Sequence, residues 1–178
     1  MNNQAKSIID FWFPEYKFQK FWFSSDTKTD EQVIMKFSEI LKQSEKADKD
    51  FINSWKTTPM NYLSLIIVLD QFSRHIYRGN ETKMHKNDPK TVEYVKDFIN
   101  KKYDLKIHGL YRLFVLLPLR HSKDRDNISL CISKIREYID FDNDNDKISD
   151  DVRKKNLGFY NRFLRATEKQ LKCENIIL

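Results

Sequence analysis

One segment of the sequence, residues 59–77, restricts the fold more than any other. It follows Thr58, whose side chain can cap free backbone amides, and opens with Pro59, which lacks the amide that would be unpaired at a helix start. Gly79 follows it and predicts a left-handed helix terminator. Apolar residues cover two opposite sides of its first half at the helical spacing of about 100°. We therefore predict a helix from Pro59 to Tyr77 whose first half is enclosed by other helices.

The composition extends this prediction to the rest of the chain. Only three glycines and four prolines occur among 178 residues, of which 33% are charged. Many-stranded folds use more turn residues, so long helices are expected, and apolar residues such as Val33, Phe37 and Leu41 recur at helical spacing. We predict an all-α fold of seven to eight helices in antiparallel hairpins, as a tetratricopeptide-like right-handed stack or a bundle. Residues 1–178 are expected to form a single domain.

Local signals predict where several helices begin and end. A capped start is predicted at Thr29, because acidic residues follow it in the first turn, where the helix dipole favours negative charge. Pro118 is expected to kink or divide a strongly apolar helix. Residues 140–147 are predicted to be a loop, after which Ser149 caps the last helix.

The net charge of +6 is unevenly distributed along the chain. Basic residues are concentrated in residues 83–125 and acidic residues in 126–148. We interpret this pattern as complementary packing of neighbouring helices. RNA binding through the basic segment is kept as an alternative, although phosphate affinity needs basic residues clustered on one face.

Cysteine usage and hydropathy predict the compartment. Cys131 and Cys173 lie far apart, so neither a disulfide framework nor a thiolate metal site is expected. No window reaches the roughly 18 apolar residues that a membrane-spanning helix needs. The N-terminus lacks a basic head before a long apolar core. We therefore expect a cytoplasmic protein without a membrane partner.

The residue patterns give no support for a metal or a cofactor. The four histidines form no close pair on one helix face with a carboxylate partner, and the isolated glycines form no phosphate-binding loop. The stretch "DFDNDNDKISDD" is only superficially similar to a calcium loop, because Asn145 stands where glycine is required. We expect neither a metal nor a cofactor.

Charged residues interrupt the apolar stretch "LIIVLDQFSRHIYRG" of residues 65–79. A charged group removed from water is costly unless it is paired. Asp70 and Arg74 are four residues apart and can form an ion pair on the helix surface. Arg78 has no acid four residues before it, so it either pairs with a different helix or faces a ligand. Together with Tyr77, these residues predict a ridge that changes from apolar to charged along the helix.

Four stretches of the sequence read "SIIDFWFPEYKFQKFWFSSDTKTDEQVIMKF", "YLSLIIVLDQFSRHIYRG", "NDPKTVEYV" and "LFVLLPLRHSKD". In order and spacing they resemble an uncharacterised and mainly bacterial family catalogued as domain of unknown function number 924. The resemblance covers roughly residues 7–127 and leaves 128–178 divergent. It implies an all-helical fold related to tetratricopeptide arrays, without an established activity. It also implies that the family's signature positions are occupied by Asp70, Gln71, Phe72, Arg74, Arg78, Gly79, Asp88, Pro118, His121 and Ser122.

The chain departs from the family pattern at several positions. Ser73 and His75 stand where the family usually has proline and asparagine, and Lys123 replaces a usual glutamate. The family's basic C-terminal signature is shortened here to "GFYNRFLRAT". If that segment carries the family's chemistry, this chain has lost it.

These observations lead to two hypotheses for function. The first is a non-catalytic helical binding module with a charged groove for an anionic small molecule or an acidic peptide end. The second is a small cofactor-independent hydrolase or transferase acting on a phosphorylated or carboxylated metabolite, with His121 as acid or base. The predicted ligand-binding residues are Asp70, Gln71, Arg74, Arg78, His121 and Ser122, and the predicted pocket wall is Trp12, Trp22 and Tyr77.

Overall fold

A computed structural model describes residues 1–23 and 26–174. Every regular element within these residues is helical, which confirms the all-α prediction. The chain forms two compact units, one that ends at Ile107 and one that begins at His108. Ser24 and Ser25 of the first family motif, and residues 175–178 of the predicted single domain, lie outside the description. The single domain and the tetratricopeptide-like stacking both stay predictions.

The described residues of the first unit form seven α-helices, and short 3₁₀ turns lie at Pro14–Tyr16, Lys20–Phe23 and Asp104–Lys106. Its helices are α1 (Asn3–Trp12), α2 (Thr27–Lys46), α3 (Lys49–Trp55), α4 (Pro59–Ile67), α5 (Ser73–Ile76), α6 (Glu81–Met84) and α7 (Asp88–Asn100). The second unit contains α8 (Gly109–His121), α9 (Arg125–Asn143) and α10 (Asp150–Glu174).

The predicted helix of residues 59–77 is present, with one wide turn inside it. A π turn over Val68–Phe72 joins α4 directly to α5, and we call this continuous element the central helix. The Thr58 side chain accepts a hydrogen bond from the Asn61 amide at 3.2 Å, which confirms the predicted cap. Gly79 adopts a φ of +84°, which confirms the left-handed terminator.

Helices α1, α3 and α7 pack against α4, and α2 packs against the π turn and α5. The contact with α1 and α2 is filled by aromatic rings. Phe72 stacks on Phe37 at 4.5 Å between centroids and meets Trp12 edge-on at 5.4 Å. Burying one such ring contributes about 1.5–3 kcal/mol to folding. The apolar side of the central helix is therefore fixed, and α4 is buried throughout after Pro59 and Met60, which confirms its predicted enclosure.

The predicted start of α2 is wrong by about one turn. The helix begins at Thr27, and Asp26 occupies the N-cap position that Thr29 was expected to take. The Thr29 hydroxyl donates a hydrogen bond to the Asp26 carboxylate, so Thr29 lies within the first turn of the helix. The acidic residue that follows Thr29 still lies in that first turn.

The second unit also differs from the prediction at its helix ends. The predicted loop over residues 140–147 begins too early, because α9 continues to Asn143. The helix persists there because Asp142 is buried and pairs with Arg112 at 2.7 Å. Pro118 lies inside α8 without dividing it.

A buried polar cluster holds the three helices of the second unit together. The carboxylate of Asp142 binds Arg112 and accepts hydrogen bonds from Asn156 at 2.7 Å and Tyr160 at 3.3 Å. All four side chains are nearly inaccessible to solvent. Because a buried charge is costly unless it is paired and hydrogen-bonded, this network fixes the packing of α8 against α9 and α10.

No helix in the described part of the chain combines the length and the hydropathy needed to cross a membrane.

Candidate functional site

Arg74 joins two acidic residues just after the π turn of the central helix. Its Nη2 donates to Oδ1 of Asp70 at 3.3 Å and to Oδ1 of Asp88 at 2.8 Å. Asp70 is only 1% exposed, and the side-chain amide of Gln71 donates to its other oxygen. The predicted ion pair between Asp70 and Arg74 is therefore confirmed. Because Asp70 is buried, its charge is costly unless a cation such as Arg74 pairs with it.

The turn after the central helix brings a histidine to the same place. The positive φ of Gly79 redirects the chain into α6, after which His85 reaches Asp88 through Nδ1 at 2.8 Å. Its other ring nitrogen lies 3.1 Å from Oε2 of Glu81. Asp88 lies in the first turn of α7, where the helix dipole stabilises a carboxylate. His85 thus bridges two acids of adjacent elements.

Arg78 pairs with an acid from a different helix. Its Nε donates to Oδ2 of Asp30 at 2.6 Å and its Nη2 donates to Oδ1 at 3.0 Å, so the two groups form a bidentate pair. Asp30 lies in the first turn of α2 and is 14% exposed, whereas the Arg78 side chain is 41% exposed. The first of the two predicted roles for Arg78, pairing with another helix, is therefore confirmed.

His75 completes the group around Asp30. Its Nδ1 lies 2.6 Å from Oδ1 of Asp30 and 3.4 Å from Nη2 of Arg78. Burial lowers the pKa of His75, although the contact with Asp30 acts to raise it. Burial alone would raise the pKa of Asp30, but the hydrogen bonds from Arg78 and His75 hold that pKa below its usual value. Near neutral pH the group therefore contains an ionised Asp30 and a neutral His75.

The two arginines point to different neighbours of the central helix. Arg74 reaches Asp88 of α7, and Arg78 reaches Asp30 of α2. The prediction of one continuous ridge along the helix assumed that successive residues are rotated by about 100° around the helix axis. The π turn, in which the Ser73 amide bonds to the Val68 carbonyl, changes that spacing just before Arg74. Such turns inside α-helices are frequent at functional sites.

The other predicted residues of the first unit lie around these two groups. The hydroxyl of Tyr77 donates to Oε2 of Glu45 at 3.2 Å. Trp12 is fully buried and Trp22 is 7% exposed, and the indole Nε1 of Trp22 donates to the backbone oxygen of Trp12 at 2.9 Å. Gln71 is also buried.

The two remaining predicted residues belong to the second unit. His121 is in the last turn of α8, and the hydroxyl of Ser122 donates to the Leu119 carbonyl at 2.8 Å, at the end of that helix. Their convergence with Arg78 on one ligand stays a prediction, as does catalysis by His121.

Three residues that matter here were not predicted from the sequence as site residues: Asp30, His75 and His85. Asp30 was noted only for its position in the first turn of a helix. His75 was noted only as a departure from the family. His85 had a usable local signal, since it lies four residues after Glu81 and three before Asp88. Within the described residues, no three His, Cys, Asp or Glu side chains are arranged to hold a metal ion.

The fold and this site define an all-helical protein with paired arginine–acid groups at one end of its central helix. Comparison with known sequences identifies the family of the chain. The profile of a family described as "Bacterial protein of unknown function (DUF924)" matches residues 8–169, so the chain belongs to this family. The match extends beyond residues 7–127, where the recognised motifs lie, and includes most of the segment expected to be divergent.

One solved structure is similar over most of the chain. It is a protein of unknown function from Agrobacterium tumefaciens, 20% identical, with a TM-score of 0.73. The match covers 95% of this chain and 81% of that one. At this identity the likeness shows a shared fold. A search of curated proteins found no match.

Proposed function

We propose that this protein is a binding module that takes an anionic small molecule or peptide end at Arg78. The proposal rests on one observation: the guanidinium of Arg78 is held in a fixed orientation and is still partly exposed to solvent. Two hydrogen bonds to Asp30 fix its plane, yet 41% of the side chain is exposed to solvent. An arginine held in one orientation loses less conformational freedom when a ligand binds.

The exposed fraction distinguishes Arg78 from Arg74. The Arg74 side chain is 18% exposed and lies between the carboxylates of Asp70 and Asp88, which already compensate its charge. We assign Arg74, Asp70 and Gln71 the role of fixing the end of the central helix, and Arg78 the role of contacting the ligand.

The pairing with Asp30 indicates the ligand chemistry. A guanidinium offers a planar fork of N–H donors that matches a carboxylate or a phosphate. Both carboxylate oxygens of Asp30 accept hydrogen bonds from these donors of Arg78. A ligand carboxylate can share or replace this contact, and Arg78 supplies the positive charge of this group near neutral pH because burial lowers the pKa of His75.

The test is a titration of the full chain with succinate and, separately, with inorganic phosphate. Binding is monitored through the NMR signals of the arginine side chains. We expect the Arg78 Nε–H signal to shift in one of the two titrations, and the Arg78→Gln variant to lose at least about tenfold in affinity. The matched control is Arg162→Gln, which removes an exposed arginine of α10 whose Nε donates to the Gly158 carbonyl.

Three outcomes would overturn the proposal. The first is that neither anion shifts the Arg78 signal. The second is that Arg78→Gln and Arg162→Gln weaken binding equally, because the effect would then reflect net charge alone. The third is a large fall in the melting temperature of Arg78→Gln without any anion binding by the parent chain, which would make the pair purely structural.

A further inference from the structure

A second candidate site lies within the second unit, between α9 and α10. A cavity of about 600 Å³ opens there, which is in the size range of small-molecule sites. Helix α9 lines it with four residues at helical spacing: Ser129, Ile132, Ser133 and Arg136. Helix α10 contributes Glu168, Leu171 and Lys172. Ile132 and Leu171 give the cavity an apolar part, and the other five side chains are polar.

The hydroxyls of the two cavity serines differ in their hydrogen bonding from those of Ser38 and Ser73. Ser38 and Ser73 donate their hydroxyls to the backbone carbonyl four residues earlier, at 2.6 and 2.7 Å, as serines inside helices often do. The side-chain hydroxyls of Ser129 and Ser133 form no hydrogen bond with the residues that the structure describes. Both serines are exposed, and their hydroxyls can donate to a molecule in the cavity.

The charges around the cavity favour a single negative charge. Nη2 of Arg136 donates to Oε1 of Glu168 at 2.9 Å, and the guanidinium has five N–H donors in all. Lys172 forms no ion pair or hydrogen bond with the side chains that the structure describes. The lining therefore carries two positive charges and one negative charge, which leaves a net charge of about +1 at neutral pH.

We propose that this cavity binds a small monocarboxylate with a short apolar chain. The carboxylate would accept hydrogen bonds from Arg136, Lys172 and the serine hydroxyls, and the apolar chain would lie against Ile132 and Leu171. A monocarboxylate matches the net charge of the lining, whereas a phosphate dianion would exceed it. This site lies in the second unit, and the proposal does not depend on the function proposed above.

The experiment is a calorimetric titration of the full chain with octanoate and with octanamide, its neutral analogue. We expect octanoate to bind at least about tenfold more tightly than octanamide, because charge-assisted hydrogen bonds to the carboxylate are lost in the amide. The double variant Arg136→Gln/Lys172→Gln should lose that preference. The matched control Lys155→Gln/Arg162→Gln removes the same charge from exposed positions of α10 and should keep it.

A variant that fills the cavity gives an independent check. Ser133→Leu places an apolar side chain in the space between the helices without changing the charge, and should abolish octanoate binding. Equal affinity for octanoate and octanamide would overturn the proposal. Equal binding by the two double variants, or full binding by Ser133→Leu, would overturn it as well.

Discussion

Arg78 and Asp30 are 48 residues apart in the sequence, yet the guanidinium donates two hydrogen bonds to the carboxylate, at 2.6 and 3.0 Å. The pair connects the end of the central helix to the first turn of α2. The contact has the geometry that an arginine offers to a ligand carboxylate. The pair can therefore contribute both to the stability of the fold and to ligand binding, and mutations can distinguish these two contributions.

Removal of Arg74 should destabilise the protein strongly. In Arg74→Met, the buried carboxylate of Asp70 loses its cation, and Asp88 loses a hydrogen bond of 2.8 Å. Breaking a buried pair in this way costs about 3–5 kcal/mol of unfolding free energy. Urea denaturation of the variant and the parent chain measures the difference.

The same change at Arg78 provides the matched control. Because its side chain is 41% exposed, water can replace part of what Arg78→Met removes, and we expect a loss of about 1 kcal/mol. If the two variants lose equal stability, the distinction between a structural Arg74 and a binding Arg78 is wrong.

His75 should make stability depend on pH in the mildly acidic range. Burial holds its pKa below the usual value of 6.5, so the unfolded chain binds the proton more readily than the folded chain. Stability is then complete above 6.5 and falls as the pH is lowered through that value. In His75→Asn, the amide can still donate to Asp30, and the melting temperature should vary less between about pH 7 and about pH 5.

Part of the pH dependence should survive in His75→Asn. Burial and the nearby Arg112 also lower the pKa of His108, which therefore contributes a slope of the same sign. The double variant His75→Asn/His108→Asn should be flatter than either single variant. An unchanged slope in His75→Asn would mean that His75 titrates alike in the folded and unfolded chains. Asp30 affects stability only at lower pH. Because the pKa of Asp30 is lowered in the folded chain, stability decreases as the pH falls below the ordinary value of 3.8.

Two glycines allow a paired test of packing in the second unit. A Cβ at Gly109 would overlap the side-chain amide of Asn156, which donates to Asp142 at 2.7 Å. Gly109→Ala should therefore cost about 1–3 kcal/mol. A Cβ at Gly158, inside α10, meets no atom within 4 Å, and Gly158→Ala should stabilise the helix by about 0.5–1 kcal/mol. Thermal unfolding of both variants should give shifts of opposite sign.

Local sequence signals were sufficient for much of the helical scaffold. Thr58 and Pro59 located the start of the central helix, Gly79 located its end, and the spacing of Asp70 and Arg74 predicted their ion pair. Each of these features depends on residues within four positions of each other. Caps, terminators and pairs of this kind are determined by the neighbouring chain.

Features that depend on distant residues could not be predicted in the same way. The partner of Arg78 lies 48 residues earlier, and the pairing of His75 with Asp30 spans 45 residues. The acid-rich stretch "DFDNDNDK" looked like a loop because nothing near it in sequence indicated that Asp142 pairs with Arg112, 30 residues before it. No residue pattern in the sequence predicts the π turn, because ordinary helix-forming residues can adopt it.

The most direct test of an anion site at Arg78 is the succinate affinity of Asp30→Asn. This variant removes the negative charge that compensates Arg78 and keeps the size of the side chain. If Asp30 occupies the position of a ligand carboxylate, Asp30→Asn should bind succinate about threefold to tenfold more tightly than the parent chain, although it is less stable. Unchanged or weaker affinity in Asp30→Asn, or tight binding that persists in Asp30→Asn/Arg78→Gln, would contradict the assignment.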